Sequence, residues 1–356
     1  MRRSGENIKQ VRAARPGAAR LFALIFLLIL PMLSGCGNVK RAERSFFAMD
    51  TYMTVTVYGA DEKLLQDAED MVRWIEEGLS VTKESSEIRR LNDGESVTLT
   101  PMTAALLRET LQYCEMTQGA LDLSIYPVTK LWGFTTGEYR VPSDAEIAEA
   151  LRYVDWSQIH VENIESSFKT VLPKGAMIDL GAVAKGYTGE MLKAYFHEKG
   201  VESALLDLGG NIQTVGKKPG GVPFRIAVKA PEGVAYLGVL ELNAEDLAVV
   251  TSGAYERYFE ENGKRYGHIM DPKTGRPADS GLLSVTVVHE NGVLCDAMST
   301  ALYVLGEEKG ISLWRSLNSF EFIMVTEDGR LLVSEGNAGR FTKDTSCPYK
   351  LEIIRR

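Results

Sequence analysis

Side chains suited to metal-assisted chemistry on a phosphate are concentrated in the last third of the sequence. Asp296 and Thr300 are four residues apart in a run with the apolar spacing of a helix, so both side chains point the same way. A carboxylate and a hydroxyl are hard oxygen donors of the kind that Mg2+ prefers. The same stretch also contains Thr251, Ser252, Gly253, His268, Asp271, Thr274 and Gly275. Because glycine turns let the backbone approach a phosphate closely, the stretch favours a Mg2+ site for a phosphate-bearing ligand.

A second candidate phosphate site lies in the segment MIDLGAVAKGYTGEMLKAYF, from Met177 to Phe196. The pattern predicts a short strand that reaches Asp179, a turn at Gly181–Ala182 and then a helix. A helix that begins after such a turn can bind an anion, and Lys185 adds a positive charge. The GxxxxGK[ST] spacing of a P-loop is absent. A tight strand–helix connection with a surface lysine explains the pattern equally well.

Two further segments combine glycine or aromatic residues with a predicted strand or turn. Gly209 and Gly210 follow a predicted strand, where they suit either a close contact between backbone and ligand or a plain hairpin. The segment LDLSIYPVTKLWGF contains Tyr126, Trp132 and Phe134, which could stack on a flat ring. Core packing is the more frequent role of such an aromatic cluster.

Among the four histidines, His268 is the best candidate for acid–base chemistry. It directly precedes the turn Asp271–Gly275 and is close in sequence to the helix that holds Asp296 and Thr300. The remaining histidines, which lie in segments without other chemically active residues, are His160, His197 and His289. A single histidine more often has a structural role, so a part in acid–base chemistry or phosphate orientation is a hypothesis.

The order of predicted elements favours an α+β fold. TYMTVTVYG alternates as a strand does, residues 62–79 have helical apolar spacing, Pro101 begins a second helix, and Ser143 begins a third with a capping box. Later segments such as FRIAVKA and LLSVTVVHE are strand-like, and DGR predicts a hairpin turn. Several strands adjoin through short turns, which indicates mixed or antiparallel sheets with packed helices rather than a doubly wound sheet. No boundary interrupts residues 46–356, so we expect one catalytic domain.

The composition and net charge of the chain argue against a nucleic-acid partner and say little else about its function. The chain has 356 residues, of which 45% are apolar and 25% charged, which is typical of a globular protein. The formal net charge is −8 and the basic residues are dispersed, whereas a nucleic-acid-binding protein normally has a basic face.

A lipoprotein signal peptide is predicted for residues 1–35. A basic region precedes the apolar run Leu21–Leu30, which is too short to span a bilayer comfortably. The following sequence Leu-Ser-Gly-Cys resembles the bacterial lipoprotein signal, so Cys36 is the expected lipidation site and residues 36–45 the expected tether. An uncleaved anchor is the alternative. We therefore expect an extracytoplasmic protein, lipid-anchored to a bacterial membrane. Of the other cysteines, Cys114 and Cys295 are expected to be buried thiols.

Eight segments together resemble the ApbE family of FAD:protein FMN transferases. In chain order they are AMDTYMTVTVYG, SSEIRRLN, LDLSIYPVTKLWGF, IDLGAVAKGY, LDLGGNI, TSGAYERYF, HIMDPKTGRP and CDAMSTALYVLG. No single segment is specific, but the whole set, which covers nearly all of residues 46–334, is highly specific. The resemblance implies a transferase that cleaves FAD, attaches FMN through a phosphoester to a Ser or Thr of an acceptor protein and releases AMP.

The resemblance also implies a set of site residues. Mg2+ would be bound by the Asp296 carboxylate, the Thr300 hydroxyl and a main-chain carbonyl, that of Ala182. His268 would support proton transfer or orient the phosphate, with Asp296 as the other catalytic residue. Contacts with FAD are expected from Met49, Tyr126, Asp179, Lys185, Gly210, Thr251, Ser252 and Gly253.

The implied partner is an acceptor flavoprotein with a Ser/Thr flavinylation motif, either in a membrane redox complex or free outside the cytoplasm. Two alternatives remain open. The same site could hydrolyse FAD to FMN and AMP, or the chain could be a flavin-binding lipoprotein without catalysis. The pairing of Asp296 with Thr300 argues against the second alternative, because capturing a flavin needs no metal.

Overall fold

A central β-sheet organises the chain, which is described here from a computed structural model that covers residues 39–164, 167–243 and 246–356. The strands are β1 (Arg41–Ala48), β2 (Thr51–Tyr58), β3 (Thr98–Leu99), β4 (Val161–Ile164), β5 (Ser167–Thr170), β6 (Ser203–Asp207), β7 (Asn211–Gly216), β8 (Phe224–Lys229), β9 (Tyr236–Leu242), β10 (Ala248–Ser252), β11 (Tyr258–Glu261), β12 (Lys264–Gly267), β13 (Met270–Asp271), β14 (Arg276–Pro277), β15 (Leu282–His289), β16 (Glu321–Thr326), β17 (Arg330–Ser334), β18 (Phe341–Lys343) and β19 (Lys350–Ile354). The α-helices are α1 (Lys63–Leu79), α2 (Glu87–Asn92), α3 (Pro101–Met116), α4 (Tyr126–Leu131), α5 (Asp144–Leu151), α6 (Ala184–Glu198), α7 (Gly292–Leu317) and α8 (Glu335–Ala338).

The central sheet has nine strands in the order β1-β2-β6-β7-β10-β15-β16-β17-β19. Its neighbouring strands are antiparallel, except that β17 and β19 pair in parallel. Smaller sheets are formed by β18-β9-β8 and by β3-β5-β4, and two hairpins by β11-β12 and β13-β14. This arrangement confirms the predicted α+β class with mixed and antiparallel sheets. Residues 41–356 form one compact unit.

In the middle of the central sheet both faces are buried, so β10, β15 and β16 are rich in apolar residues, whereas the edge strand β1 alternates buried and exposed side chains. On one face, α1 packs on β1 and β2 and α6 packs on β7, and Val55, Val72 and Leu192 belong to the same buried cluster. Further along the same face, α7 packs on β10 and β15. On the opposite face, the sheet β18-β9-β8 covers the other side of β10 and β16, where Phe224 packs with Val249. Each such fully buried side chain contributes roughly 1.5–3 kcal/mol.

Several helices begin at the capping and proline residues that the sequence predicts. Ser143 and Glu146 form the expected capping box of α5, and Pro101 is in the first turn of α3 after the cap Thr100. The helix that carries Asp296 is capped by Asn291, whose side chain accepts from the Leu294 N–H at 2.9 Å.

Three local predictions are wrong. Residues 41–45, expected in the tether, belong to β1, which pairs with β2 along its whole length. The strand expected to reach Asp179 is an irregular extended segment, because its backbone bonds to a loop and a side chain instead of a strand: Asp179 N–H donates to Leu123 O at 2.8 Å and Ile178 N–H to Asn92 Oδ1 at 2.7 Å. The first half of the strand-like segment WSQIHVE is a 3-10 turn at Trp156–Gln158.

The predicted signal peptide and lipidation site at the N-terminus stay predictions. The signal peptide at 1–35 and the lipidation site Cys36 lie outside the described residues. Within the described ranges, no helix is both long and apolar enough to cross a membrane. Cys114 and Cys295 are buried free thiols, as predicted, and Cys347 is buried and free as well.

Candidate active site

One cleft of about 870 Å³ brings together nearly all of the residues that the sequence singles out. The predicted site residues that line it are Met49, Asp179, Ala182, Lys185, Gly210, Thr251, Ser252, Gly253, His268, Asp296 and Thr300. They come from five separate parts of the chain: the β1–β2 turn, the segment before α6 with the first turn of that helix, the β6–β7 turn, the end of β10 with the residues up to His268, and α7. The cleft size falls within the range usual for ligand pockets, roughly 300–1,000 Å³.

Tyr126 is the predicted contact that the structure does not bring to the cleft. Tyr126 is only 4% exposed, and it belongs with Pro127 and Val128 to the buried residues of α4. Its neighbours Ile125 and Thr129 line the cleft instead. A short helix turns successive side chains in different directions, so Tyr126 packs into the core while its neighbours border the cleft.

The aromatic residues of the same segment divide between core and cleft. Trp132 is fully buried and its Nε1–H donates to the Gly275 carbonyl at 2.9 Å, so the core interpretation holds for it. Phe134 is also buried in that cluster, yet one part of it borders the cleft. Its ring meets the His268 ring edge-on, with 6.4 Å between centroids.

Asp296 is buried and lies against the N-terminus of α6. Its Oδ2 accepts from the Gly186 N–H at 2.8 Å. The first backbone N–H groups of a helix have no partner within that helix, and Val183, the cap residue of α6, provides no side-chain hydrogen bond to them. Asp296, which belongs to α7, therefore supplies the acceptor for the Gly186 N–H. Burial raises the pKa of Asp296, while the charge of Lys185 and the Gly186 hydrogen bond oppose that rise.

Three hydroxyl groups form an oxygen cluster beside the main-chain carbonyl of Asp296. Ser252 Oγ lies 2.7 Å from Ser299 Oγ and 3.4 Å from Thr300 Oγ1. Because Ser299 donates its own proton to the Asp296 carbonyl at 2.9 Å, Ser252 must be the donor to Ser299. Ser299 was not anticipated from the sequence, although its position three residues after Asp296 on one helix is a signal that could have found it.

The donor set fits a small hard cation. Asp296 forms no ion pair with Lys, Arg or His within the described ranges, and these ranges contain no group of three His, Cys, Asp or Glu side chains suited to a metal. A cation here would depend on one carboxylate together with hydroxyl and carbonyl oxygens. Mg2+ accepts such a set when phosphate oxygens and water complete its octahedral shell. Thr300 and Ala182 line the cleft beside Asp296, in agreement with this arrangement.

The turn before α6 holds a second carboxylate near Lys185. Asp179 Oδ1 accepts from the Gly181 N–H at 2.8 Å, which fixes the turn. Burial raises the pKa of Asp179, and the nearby charges of Arg257 and Lys185 act against that rise. Both Asp179 and Lys185 line the cleft.

Two buried amide side chains beneath the oxygen cluster were missed. Gln213 Nε2 donates to the Gly186 carbonyl at 3.0 Å and to Asn211 Oδ1 at 3.1 Å. The Asn211 Nδ2 group has no partner with hydrogen-bond geometry among the described residues, but it lies near enough to Asp296 to lower the pKa of that carboxyl. The signal was present in the sequence, since Asn211 follows the Gly209–Gly210 turn, which has positive φ at both residues and closes the β6–β7 hairpin.

His268 is held as a neutral side chain of defined tautomer. Its Nδ1 lies 3.1 Å from the Arg257 carbonyl, which can only accept, so Nδ1 carries the proton and Nε2 has a free lone pair. Burial, together with the positive charges of Lys185 and Arg257, lowers the pKa of His268 to about 4, although the hydrogen bond to the Arg257 carbonyl opposes the shift. At neutral pH the ring is therefore uncharged. The other three histidines do not line the cleft.

The fold and the cleft now allow the family to be established. The sequence model of the ApbE family matches residues 49–324, and the chain belongs to that family. The resemblance identified from the sequence is thus confirmed. The FAD:protein FMN transferase of Vibrio cholerae is 32% identical over 321 residues, which cover 86% of this chain and 94% of the relative. The FAD:protein FMN transferase of Treponema pallidum is 30% identical over 339 residues, covering 89% and 94%.

Solved structures show the same fold. The ApbE protein of Thermotoga maritima superposes with a TM-score of 0.76 at 32% identity, covering 83% of this chain and 98% of its own. The apo form of the flavinyl transferase ApbE from Pseudomonas stutzeri superposes with a TM-score of 0.71 at 30% identity, covering 81% and 91%.

Proposed function

We propose that this chain is an FAD:protein FMN transferase. It cleaves the pyrophosphate of FAD, joins the FMN phosphorus to a Ser or Thr hydroxyl of an acceptor protein and releases AMP. The observation that carries the proposal is the single cleft in which the Asp296–Thr300 oxygen cluster, Lys185 and His268 lie together, in a chain of this family. Relatives named FAD:protein FMN transferase support it.

The site residues suit phosphoryl transfer, which depends mainly on positioning and charge neutralisation. Asp296, Thr300 and the Ala182 carbonyl would hold Mg2+, which when bound supplies positive charge to the pyrophosphate oxygens. Lys185 places a second positive charge in the same cleft. Met49, Asp179, Gly210, Thr251, Ser252 and Gly253 remain the proposed contacts with FAD, whereas Tyr126 is withdrawn because its side chain is buried away from the cleft.

His268 is the proposed acceptor of the proton from the incoming hydroxyl. In the reaction the hydroxyl oxygen forms the new P–O bond, its proton passes to His268 Nε2, and the bond from the FMN phosphorus to the bridging oxygen breaks as AMP leaves. A histidine with a pKa of about 4 is a weak base in the free protein. The negative pyrophosphate offsets the charges of Lys185 and Arg257, which raises the basicity of His268 when FAD is bound.

The experiment combines the full-length chain in detergent with FAD, Mg2+ and a protein that carries a Ser/Thr flavinylation motif. In-gel flavin fluorescence of the denatured acceptor and chromatography for AMP and FMN are measured together. A fluorescent acceptor with stoichiometric AMP supports the transferase. Free FMN and AMP with a dark acceptor would indicate the FAD pyrophosphatase, and intact FAD would indicate a flavin-binding protein without catalysis. Asp70→Asn, on the exposed side of α1, is the matched control for substitutions of Asp296.

We further propose, from the sequence alone, that the chain is anchored outside the cytoplasm by a lipid on Cys36. Cys36→Ser should carry no lipid, because the thiol that would bear it is removed, and its signal peptide should stay uncleaved, because a signal peptidase that acts on lipidated cysteine would lose its substrate. Mass spectrometry of the mature N-terminus measures the modification directly. An unmodified wild-type Cys36 would disprove the anchor and leave the flavin-transfer proposal untouched.

A further inference from the structure

We propose that Arg257 is a positioning residue of this reaction, which holds His268 in the tautomer that leaves Nε2 free of its proton. The kinetic part of this inference rests on the proposed function, whereas its structural part does not. Arg257 lies within TSGAYERYF, a segment of the family resemblance, and lines the cleft, where its charge acts on Asp179 and His268.

The first step is the place of Arg257 relative to His268. The hairpin β11–β12 ends with Tyr258 opposite Gly267, so Arg257 and His268 are the next facing pair beyond its open end. The Arg257 carbonyl accepts from the His268 backbone N–H at 3.0 Å and from His268 Nδ1 at 3.1 Å. One carbonyl oxygen thus holds both the main chain and the ring of His268, and its position determines the tautomer.

The second step is what holds that carbonyl in place. The Arg257 guanidinium donates to the Phe134 carbonyl, in the segment after α4. Phe134 in turn places its ring edge-on against the His268 ring. Arg257, Phe134 and His268 therefore contact one another. The side chain of Arg257 binds the main chain of Phe134, the ring of Phe134 contacts His268, and His268 binds the main chain of Arg257. Without the guanidinium, the hydrogen bond between the segment of Arg257 and the distant segment of Phe134 would be lost.

The third contact of Arg257 joins it to the turn between β1 and β2. Arg257 Nη1 lies 3.3 Å from Asp50 Oδ2, with side chains that are 40% and 72% exposed. Met49 and Asp50 both have positive φ, and the Met49 N–H donates to Glu76 Oε1 at 2.9 Å. An ion pair this exposed contributes little, because water screens it. The bond to Phe134, rather than the pair with Asp50, should therefore account for the positioning of His268.

The test compares Arg257→Met, Arg257→Lys and Asp50→Asn with the control Arg265→Met. Arg265 lies in the same hairpin, its side chain is 45% exposed, and it pairs with Glu232 and Glu260 at 3.4 Å. The tautomer of His268 is read from 15N-histidine NMR spectra of the full-length chain at pH 8, assigned with His268→Gln. Steady-state rates of flavin transfer and the Kd for FAD are measured on the same samples.

In the wild-type chain and in Arg265→Met, we expect His268 to carry its proton on Nδ1. In Arg257→Met the Nε2–H tautomer should appear, and kcat should fall about 10- to 100-fold, as for a misplaced catalytic group, while the Kd for FAD changes less than about threefold. Arg257→Lys, which can still donate to Phe134, should recover part of the rate. Asp50→Asn should resemble the wild type.

An unchanged tautomer and rate in Arg257→Met would overturn the proposal, and so would an equal loss of rate in Arg265→Met. If Arg257→Met does not fold, the decision passes to Arg257→Lys: a reduced rate with a partly changed tautomer and an unchanged Kd for FAD supports the positioning role, whereas a fully wild-type rate and tautomer, or a loss of FAD binding in place of rate, contradicts it. A chain that transfers no flavin at all would refute the proposed function, and the NMR measurement would still decide the role of Arg257.

Discussion

The contact between α6 and α7 gives the sharpest prediction, because at Gly186 helix propensity favours alanine whereas the close packing of the two helices favours glycine. A Cβ added there would lie 2.2 Å from the Gly292 carbonyl oxygen and 2.9 Å from Val293 Cα. These are backbone atoms, so no side-chain rotation can relieve the overlap. In Gly186→Ala the two helices must therefore move apart by roughly 1 Å to restore a normal van der Waals contact.

The expected magnitude follows from two opposing terms. Replacing a helical glycine with alanine would by itself stabilise the protein by about 1 kcal/mol. Overpacking a close contact typically costs about 1–3 kcal/mol and sometimes more, and here it acts on two backbones. The free energy of unfolding should thus fall by about 1–2 kcal/mol. Since the Gly186 N–H donates to Asp296, the same movement displaces the carboxylate, and flavin transfer should slow by about 10- to 100-fold.

Urea denaturation and the flavin-transfer assay measure the two effects, with Gly310→Ala as the control. Gly310 is also buried in α7, but its Cβ would meet the end of the Leu302 side chain at 3.3 Å and that of Met324 at 3.4 Å, and both side chains can adjust. We expect Gly310→Ala to stay within about 1 kcal/mol of the wild type and to remain active. A Gly186→Ala protein that is more stable than the wild type and fully active would refute the helix-contact reasoning.

Two other predictions concern the groups that carry the chemistry. Asp296→Asn should lower Mg2+-dependent transfer by about 100- to 1,000-fold. Its urea midpoint should stay equal to that of the wild type or rise, because burial disfavours the charged carboxylate. Stimulation of this variant by Mg2+ to the wild-type extent would exclude Asp296 as a ligand. The pKa of His268 is about 4 in the folded protein and about 6.5 in the unfolded chain, so the unfolded chain binds the proton first as the pH falls. His268 therefore contributes stability above pH 6.5 that is lost between about pH 6.5 and 4, and His268→Gln should lose less stability between pH 7 and pH 5 than the wild type does. Equal losses, measured as urea midpoints at the two pH values, would contradict the lowered pKa.

Features that depend on residues close in sequence were predictable from the amino-acid sequence. The capping box at Ser143 was found because capping involves residues three apart, and the hairpin between β16 and β17 because its turn is local. The pairing of Asp296 with Thr300 on one side of α7 followed from helical geometry alone. The family resemblance added which of several weak signals belong to one site, and the comparisons confirmed the family.

Tertiary structure alone decided how these pieces meet. Asp296 completes the N-terminus of a helix that lies 110 residues earlier, and Arg257 binds a carbonyl 123 residues away. The sequence shows no local sign of either contact, since each depends on which faces of distant elements pack together. Tyr126 shows the same limit, because the direction of its ring depends on how α4 lies against the core. Local bonding rules reach about four residues along the chain, whereas the position of a side chain in the cleft results from the packing of the whole sheet and its helices.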